Sequence, residues 1–336
     1  MAEVFLARQL GMMNFEKIVV VKTIHPHLSR QHEFISMLLD EARLSALIKN
    51  PNVVDIYDLG QEGDTYFIAM EYLAGQALSA VLTQARKLRK VLDVYGTIRI
   101  IADAASGLHA AHTMTSLSGD PMELVHRDVS PGNIVVLYDG RVKLVDFGVS
   151  KAQGRLSVTA PLQIKGKLGY IAPEQLRADP VDRRSDIYAL GVVMWEALTW
   201  RRLFKPDTEA DTLDGLRTGT VRAPSTERRD VPMSVDAICL RALADDPDDR
   251  YQSAEDMQHA IEDALREVGY YRDRRGLGEY MRQLFPDAVA EQQAAYRSAT
   301  IGPDADDHEV EVLEVDLDPE DYAVLAKGTP GSGDSE

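Results

Sequence analysis

Two carboxylates and a carboxamide fall within a short span of the chain. Asp128 and Asn133 stand five residues apart in Leu124-Val-His-Arg-Asp-Val-Ser-Pro-Gly-Asn-Ile-Val-Val-Leu137, and Asp146 follows thirteen residues later in Lys143-Leu-Val-Asp-Phe-Gly148. Apolar runs on each side suit the first loop to strand anchors, and Gly148 permits a sharp turn after the second acid. The pair Asp128 and Asn133 can orient a hydroxyl and hold a metal. Two acids and an amide converging beside a metal ion suit phosphoryl transfer, whose transition state spreads negative charge over several oxygens.

The surrounding pattern supplies elements to position them. Residues 1–7 alternate as a strand, and Phe15-Glu-Lys-Ile-Val-Val-Val-Lys22 reads as a second strand ending in a lysine. Residues 31–49 have helical spacing and carry Glu41, with Asp40 about 100° away around the helix. His25, His27 and His32 precede it, but no Cys or tight acid cluster completes a metal site, so a solvated loop is the better reading. Residues 52–59 and 65–72 read as strands about a Gly63-Asp64 turn, and residues from 97 onward as a helix with Ile98, Ile101, Ala105 and Leu108 on one face. Asp139-Gly140 turns a hairpin between Ile134–Leu137 and Val142–Val145. A further apolar helix starts at Ser185-Asp186, a cap-like pair, and residues 234–245 and 253–268 give two more. Residues 269–300 read as one additional helix.

Composition is that of a globular protein: 336 residues, 45% hydrophobic and 27% charged. No apolar run reaches the roughly 18 residues that a membrane span needs, and no signal pattern opens the chain, so the expectation is a cytoplasmic protein. The lone Cys239 lies in an apolar helical stretch and reads as a buried thiol. The net charge of −17 is uneven: residues 301–336 hold twelve Asp and Glu against one Lys. No basic stripe interleaved with aromatics marks the body, which argues against nucleic-acid binding. The tail reads as disordered, although Val310-Glu-Val-Leu-Glu-Val-Asp-Leu317 alternates well enough to pair with a partner's sheet edge.

His126-Arg-Asp128 with Asn133, Asp146-Phe-Gly148 and Ala172-Pro-Glu174 occur in the order and spacing of the protein kinases, and the chain resembles the bacterial eukaryotic-like (Hanks-type) serine/threonine kinases. The resemblance runs from residue 1 to about 268 and implies a two-lobed α+β fold. A small antiparallel β lobe (residues 1–73) would meet a large helical lobe (74–268) through a hinge near 71–75, followed by a helical extension (269–300) and an acidic tail (301–336). ATP and Mg²⁺ are implied, with protein substrates whose identity is open. In this likeness Asp128 orients the substrate hydroxyl, while Asn133 and Asp146 hold Mg²⁺. Lys22, fixed by Glu41, positions the α- and β-phosphates. Val4, Met70, Glu71 and Leu73 fall at positions lining the adenine pocket. Asp186 would take backbone amides of the catalytic loop, and Glu174 would pair with Arg250 under the substrate platform. Met1-Ala-Glu-Val4 resembles the end of a glycine-rich loop, as though the first strand and most of that loop were cut away.

The likeness also has departures. Where the family usually carries a lysine two residues after the catalytic Asp, this chain has Ser130, and where a threonine follows the glycine ahead of Ala-Pro-Glu it has Lys167. The two appear exchanged, which implies that Lys167 supplies the phosphate-facing charge. Thr159 aligns with a threonine that relatives autophosphorylate, Ser157 is close by, and Arg127 is the residue type that pairs with such a phosphate. Self-phosphorylation would bring two copies together. A catalytically impaired kinase-like scaffold is the alternative reading, and a small-molecule phosphotransferase would share the Asp–Asn–Asp core.

Overall fold

The computed structural model describes residues 2–11, 15–24, 39, 42–63, 65–116, 118–147, 168–204, 221–270, 274–300 and 311–313. Strands β1 (Ala2–Gly11) and β2 (Phe15–Ile24) pair antiparallel, with Val4 directly opposite Lys22. Ile18-Val-Val-Val21 gives β2 the β-branched side chains that favour a pleated surface. Strand β3 (Ile56–Glu62) pairs with β4 (Thr65–Glu71), which lies against the other edge of β2. The strand expected at residue 52 thus begins four residues later, and Val53 makes only a single bridge to Leu144.

In a second antiparallel sheet of β5 (Gly75–Ala77), β6 (Ile134–Leu137) and β7 (Val142–Leu144), the loop of residues 124–133 leads into the central strand, β6. Gly75 is needed where the strands meet, since a Cβ there would stand 2.4 Å from the Val136 carbonyl oxygen. Around this sheet lie helices α1 (Leu78–Leu88), α2 (Val94–His112), α3 (Pro173–Arg177), α4 (Arg183–Thr199), α5 (Met233–Ala242) and α6 (Ala254–Glu267). Helix α2 starts ahead of the expected residue 97 because the Asp93 carboxylate accepts from Gly96 N at 2.7 Å. It packs on α4 and α6, and Ile98, Ile101, Ala105 and Leu108 are fully buried along its inner face. Helix α4 is apolar nearly all round and forms the buried axis of the large lobe. Its cap is Asp182, which accepts from Arg184 N at 2.8 Å. The expected start at Ser185-Asp186 is therefore displaced into the first turn, where both side chains have other partners.

Residues 269–300 form two helices rather than one: α7 (Arg274–Leu284) and α8 (Pro286–Thr300). Pro286 has no N–H to continue α7 and its fixed φ suits the first position of a new helix, so the chain restarts there. In the tail, β8 (Glu311–Leu313) joins the small lobe's own sheet beside β1 in the order β3-β4-β2-β1-β8. Within the stretch expected to meet a partner's sheet edge, residues 311–313 thus pair inside this chain. Residues 42–47 are helical; Asp40, Glu41 and the three histidines at 25, 27 and 32 lie outside the described residues. Cys239 is fully buried, its thiol pushed well above the usual range by burial, and its Sγ lies 3.8 Å from the Gly191 carbonyl. Among the described residues no helix is long and apolar enough to cross a membrane.

Candidate active site

The loop between Leu124 and Ile134 is held open by a buried acid on α4. Asp186, 1% exposed, accepts from the backbone N–H of His126 at 2.7 Å and of Arg127 at 2.8 Å, and pairs with His112 Nε2 at 2.8 Å. Arg127 has a left-handed φ of 60°, and two successive amides converge there on one carboxylate, as in other anion-binding backbone nests. Burial pushes the Asp186 carboxyl up, but the hydrogen bond from His112 and the neighbouring donors outweigh it, so it ends below the usual range.

His126 ties this loop to the second acidic segment. Burial drives its imidazole pKa down, so the ring is neutral; Nε2 lies 3.3 Å from the Val145 carbonyl and Nδ1 accepts from Asp128 N at 3.3 Å. The ring packs tilted against Phe147 with centroids 4.4 Å apart. Asp128 and Asn133 face one another across the loop: Asn133 Nδ2 donates to the Asp128 carboxylate at 3.0 Å and to its carbonyl at 2.8 Å. With its amide nitrogen so engaged, Asn133 has its carbonyl oxygen to offer a cation. Pro131 and a 3₁₀ turn over Pro131–Asn133 fix the spacing. Ser130 is buried beside them.

Asp146 also adopts a left-handed φ, 53°, and receives Lys22 Nζ from the small lobe at 2.9 Å. The pair spans the crevice between the lobes, its side chains 19% and 30% exposed. Lys22 was expected to be fixed by Glu41, which lies outside the described residues, as do Lys167, Ser157 and Thr159. One buried apolar cluster joins the two lobes, with Val4, Val20, Met70 and Leu73 from the small lobe and Val135, Leu137 and Val145 from the large one. The last three were not singled out from the sequence, although the alternation of Val135 and Leu137 on one face of β6 was the available signal. Lys143 was missed too. Only 3% exposed, it donates to the Val53 carbonyl at 3.0 Å and pairs with Glu71, linking the hinge strand to the strand before Asp146. A lysine inside an apolar run was its signal.

Farther out, Glu174 and Arg250 form a bidentate pair, both contacts at 2.8 Å, with Arg250 0% and Glu174 6% exposed. Ser185 Oγ donates to the same carboxylate at 2.5 Å. Burial raises the Glu174 carboxyl, and the Arg250 and Ser185 hydrogen bonds bring it net below its usual value.

Among the described residues no cluster of three or more His, Cys, Asp or Glu is gathered into a metal cage. The donor set around Asn133 and Asp146 fits Mg²⁺ instead, a hard cation that is commonly bound through one or two protein oxygens with substrate phosphates and waters completing the shell. What the arrangement offers chemically is a carboxylate for a hydroxyl, two oxygen donors for a cation and a lysine opposite them.

The family model described as a protein kinase domain matches residues 2–261. The chain is 45% identical over 285 residues to the tyrosine-protein kinase MasK of Myxococcus xanthus, covering 85% of this chain and 44% of that one. It is 35% identical over 267 residues to the serine/threonine-protein kinase PrkC of Bacillus subtilis, covering 79% and 39%. The chain thus spans less than half the length of these curated relatives. Among solved structures, the PknI kinase domain of Mycobacterium tuberculosis superposes with a TM-score of 0.56 at 25% identity, covering 78% of this chain and 90% of that one. A family match that runs through both lobes shows that the chain belongs to the protein kinase family.

Proposed function

We propose that this chain transfers the γ-phosphoryl group of ATP to serine and threonine hydroxyls of proteins, its own activation segment among them. The observation that carries the reading is the Asp128–Asn133 contact on a loop locked by Asp186, with Asp146 and Lys22 meeting across the crevice. Asp128 orients the acceptor hydroxyl and draws its proton. Lys22 engages the α- and β-phosphates, the apolar cluster around Met70 and Val145 takes the adenine, and Glu71 and Leu73 flank the hinge that meets its edge. Asn133 and Asp146 hold Mg²⁺, which supplies neutralisation of phosphate charge when bound. Catalysis then rests on positioning and electrostatics. Lys167 supplies the charge that the family takes from the position of Ser130, and Thr159, phosphorylated, orders the activation segment against Arg127.

A second reading concerns the acceptor. One relative at 45% identity is named a tyrosine kinase, which favours tyrosine, whereas Pro131 follows the serine/threonine pattern. One experiment separates these readings: transfer of labelled γ-phosphate to the chain itself and to a generic basic protein, followed by phosphoamino-acid analysis and intact mass. The expected label is on serine and threonine, including Thr159, and Asp128→Asn lowers transfer by about 10²–10⁴-fold. Lys167→Ala should lower it by a comparable factor; a loss under about twofold removes Lys167 from the reaction. Label confined to tyrosine establishes the second acceptor class, and no transfer by the unaltered chain leaves a scaffold.

A further inference from the structure

Helix α1 runs out into Arg86-Lys-Leu-Arg-Lys-Val91, six successive residues that are all exposed. Arg86 and Lys87 stand in the last turn, where cations suit the helix dipole, and Arg89 caps it with a left-handed φ of 53°. The dipole does not account for Leu88 and Val91, which are 42% and 50% exposed among these bases. Elsewhere on the large lobe Arg99, Arg177, Arg184, Arg228 and Arg250 each reach a carboxylate. Here, among the described residues, none of the four bases does. Arg86 donates to the Trp200 carbonyl and Lys90 to the Gln283 carbonyl at 3.3 Å, while Lys87 and Arg89 have no hydrogen-bond or ion-pair partner. Four like charges within five residues repel one another until an anion meets them.

Beside Val91 a cavity of about 150 Å³ lies between the α1–α2 connection and α7, lined by Leu92, Asp93, Tyr270, Leu277 and Tyr280. It has room for an apolar side chain. The surface therefore suits a segment that alternates acids with apolar residues, and the chain contains one. Residues 314–325, Glu-Val-Asp-Leu-Asp-Pro-Glu-Asp-Tyr-Ala-Val-Leu, hold five acids and no base, with Val315, Leu317 and Tyr322 among them. The extension that leads to them passes the patch, where Gln283 accepts from Lys90 and Gln84 donates to the Leu284 carbonyl at 3.5 Å. A tethered segment meets such a surface at a far higher effective concentration than a free one. The net charge of −17 weighs against an anionic lipid surface as the occupant, since the chain as a whole is repelled by it.

We propose that residues 314–325 dock on the Arg86–Val91 surface of the same molecule, acids against the four bases and one apolar side chain in the cavity beside Val91. The docking is independent of phosphoryl transfer, so its failure and that of the kinase reading are separate events. The test is zero-length carbodiimide crosslinking of the full chain, with nitrogen-14 and nitrogen-15 forms mixed in equal amounts and the products mapped by mass spectrometry. Lys90 should join to carboxylates of residues 314–321 within one isotopic form. The yield at Lys90 should fall by about tenfold or more in Lys87→Glu/Arg89→Glu, where like charges then face the acids, and should recover when Asp316→Lys/Asp318→Lys is added to that variant. Both patch substitutions fall on exposed side chains without partners, and an unchanged thermal midpoint confirms that the fold is kept. Absence of these crosslinks, or an equal yield in the reversed-charge variant, overturns the proposal. So do crosslinks that join the two isotopic forms, since the segment then comes from a second copy. Co-sedimentation of the full chain with phosphatidylserine vesicles, lost in Lys87→Glu/Arg89→Glu and unaccompanied by crosslinks to residues 314–321, also overturns it, because the surface then takes lipid.

Discussion

The crevice is bounded by two ion-paired centres that differ in kind. Around Asp186 the polar groups are buried and multiply bonded within the large lobe: two backbone amides and His112 meet one carboxylate, and nearby Arg250 closes on Glu174 through two contacts. Across the lobes, Lys22 reaches Asp146 through a partly exposed contact of 2.9 Å. The buried centre is fixed before any substrate arrives, which keeps the geometry of Asp128 and Asn133 constant. The partly exposed centre consists of the groups proposed to engage nucleotide and metal. The contrast separates what builds the site from what the site does.

The largest test of that contrast is Arg250→Ala. It strands the Glu174 carboxylate in a buried position, and breaking such a pair costs about 3–5 kcal/mol, measurable by denaturant unfolding. A loss under about 1 kcal/mol would place this pair with weakly coupled surface bridges and remove the distinction. Asp186→Asn comes next. It weakens charge-assisted bonds to two amides and His112, for a loss of about 1.5–3 kcal/mol.

The pH dependence has a definite sign. The Asp186 and Glu174 carboxyls are depressed in the folded state from ordinary values of 3.8 and 4.5, so their contribution is complete above those values and is lost as pH falls through the folded ones. Acid unfolding of the unaltered chain should therefore steepen below that range, and Asp186→Asn should flatten this part of the profile.

Much of this was legible because local chemistry and fold agreed. The Asp139-Gly140 hairpin, the apolar face of α2 and the loop from Asp128 to Asn133 each carry their own short-range signal. Boundaries were less legible: the cap of α4 depended on which of Asp182 and Ser185 had a free side chain, and Ser185 is taken by Glu174, far from the helix start. Long-range partners left no local trace. Nothing near His112 announces that it meets Asp186, seventy-four residues later. Lys143 did leave one, because a charged residue in a buried strand requires a partner, here Glu71. The break at Pro286 was readable from proline chemistry alone, and aromatic spacing across residues 270–285 obscured it.

The smallest stability effect is expected at Lys22, and it is the most discriminating. Its contact with Asp146 is partly exposed, and such pairs contribute about 0–1 kcal/mol, so Lys22→Met should unfold within about 1 kcal/mol of the unaltered chain. Its loss should instead appear on adding ATP with Mg²⁺. A ligand at a hundred times its Kd stabilises a folded protein by about 2.7 kcal/mol, and that increment should be present in the unaltered chain and absent from Lys22→Met. Thermal unfolding of both proteins, with and without nucleotide, reads the two effects separately. A Lys22→Met chain as damaged as Arg250→Ala in the absence of nucleotide would mean that the inter-lobe pair holds the fold as firmly as the buried one. A chain that keeps its nucleotide increment would mean that the phosphates are positioned without Lys22.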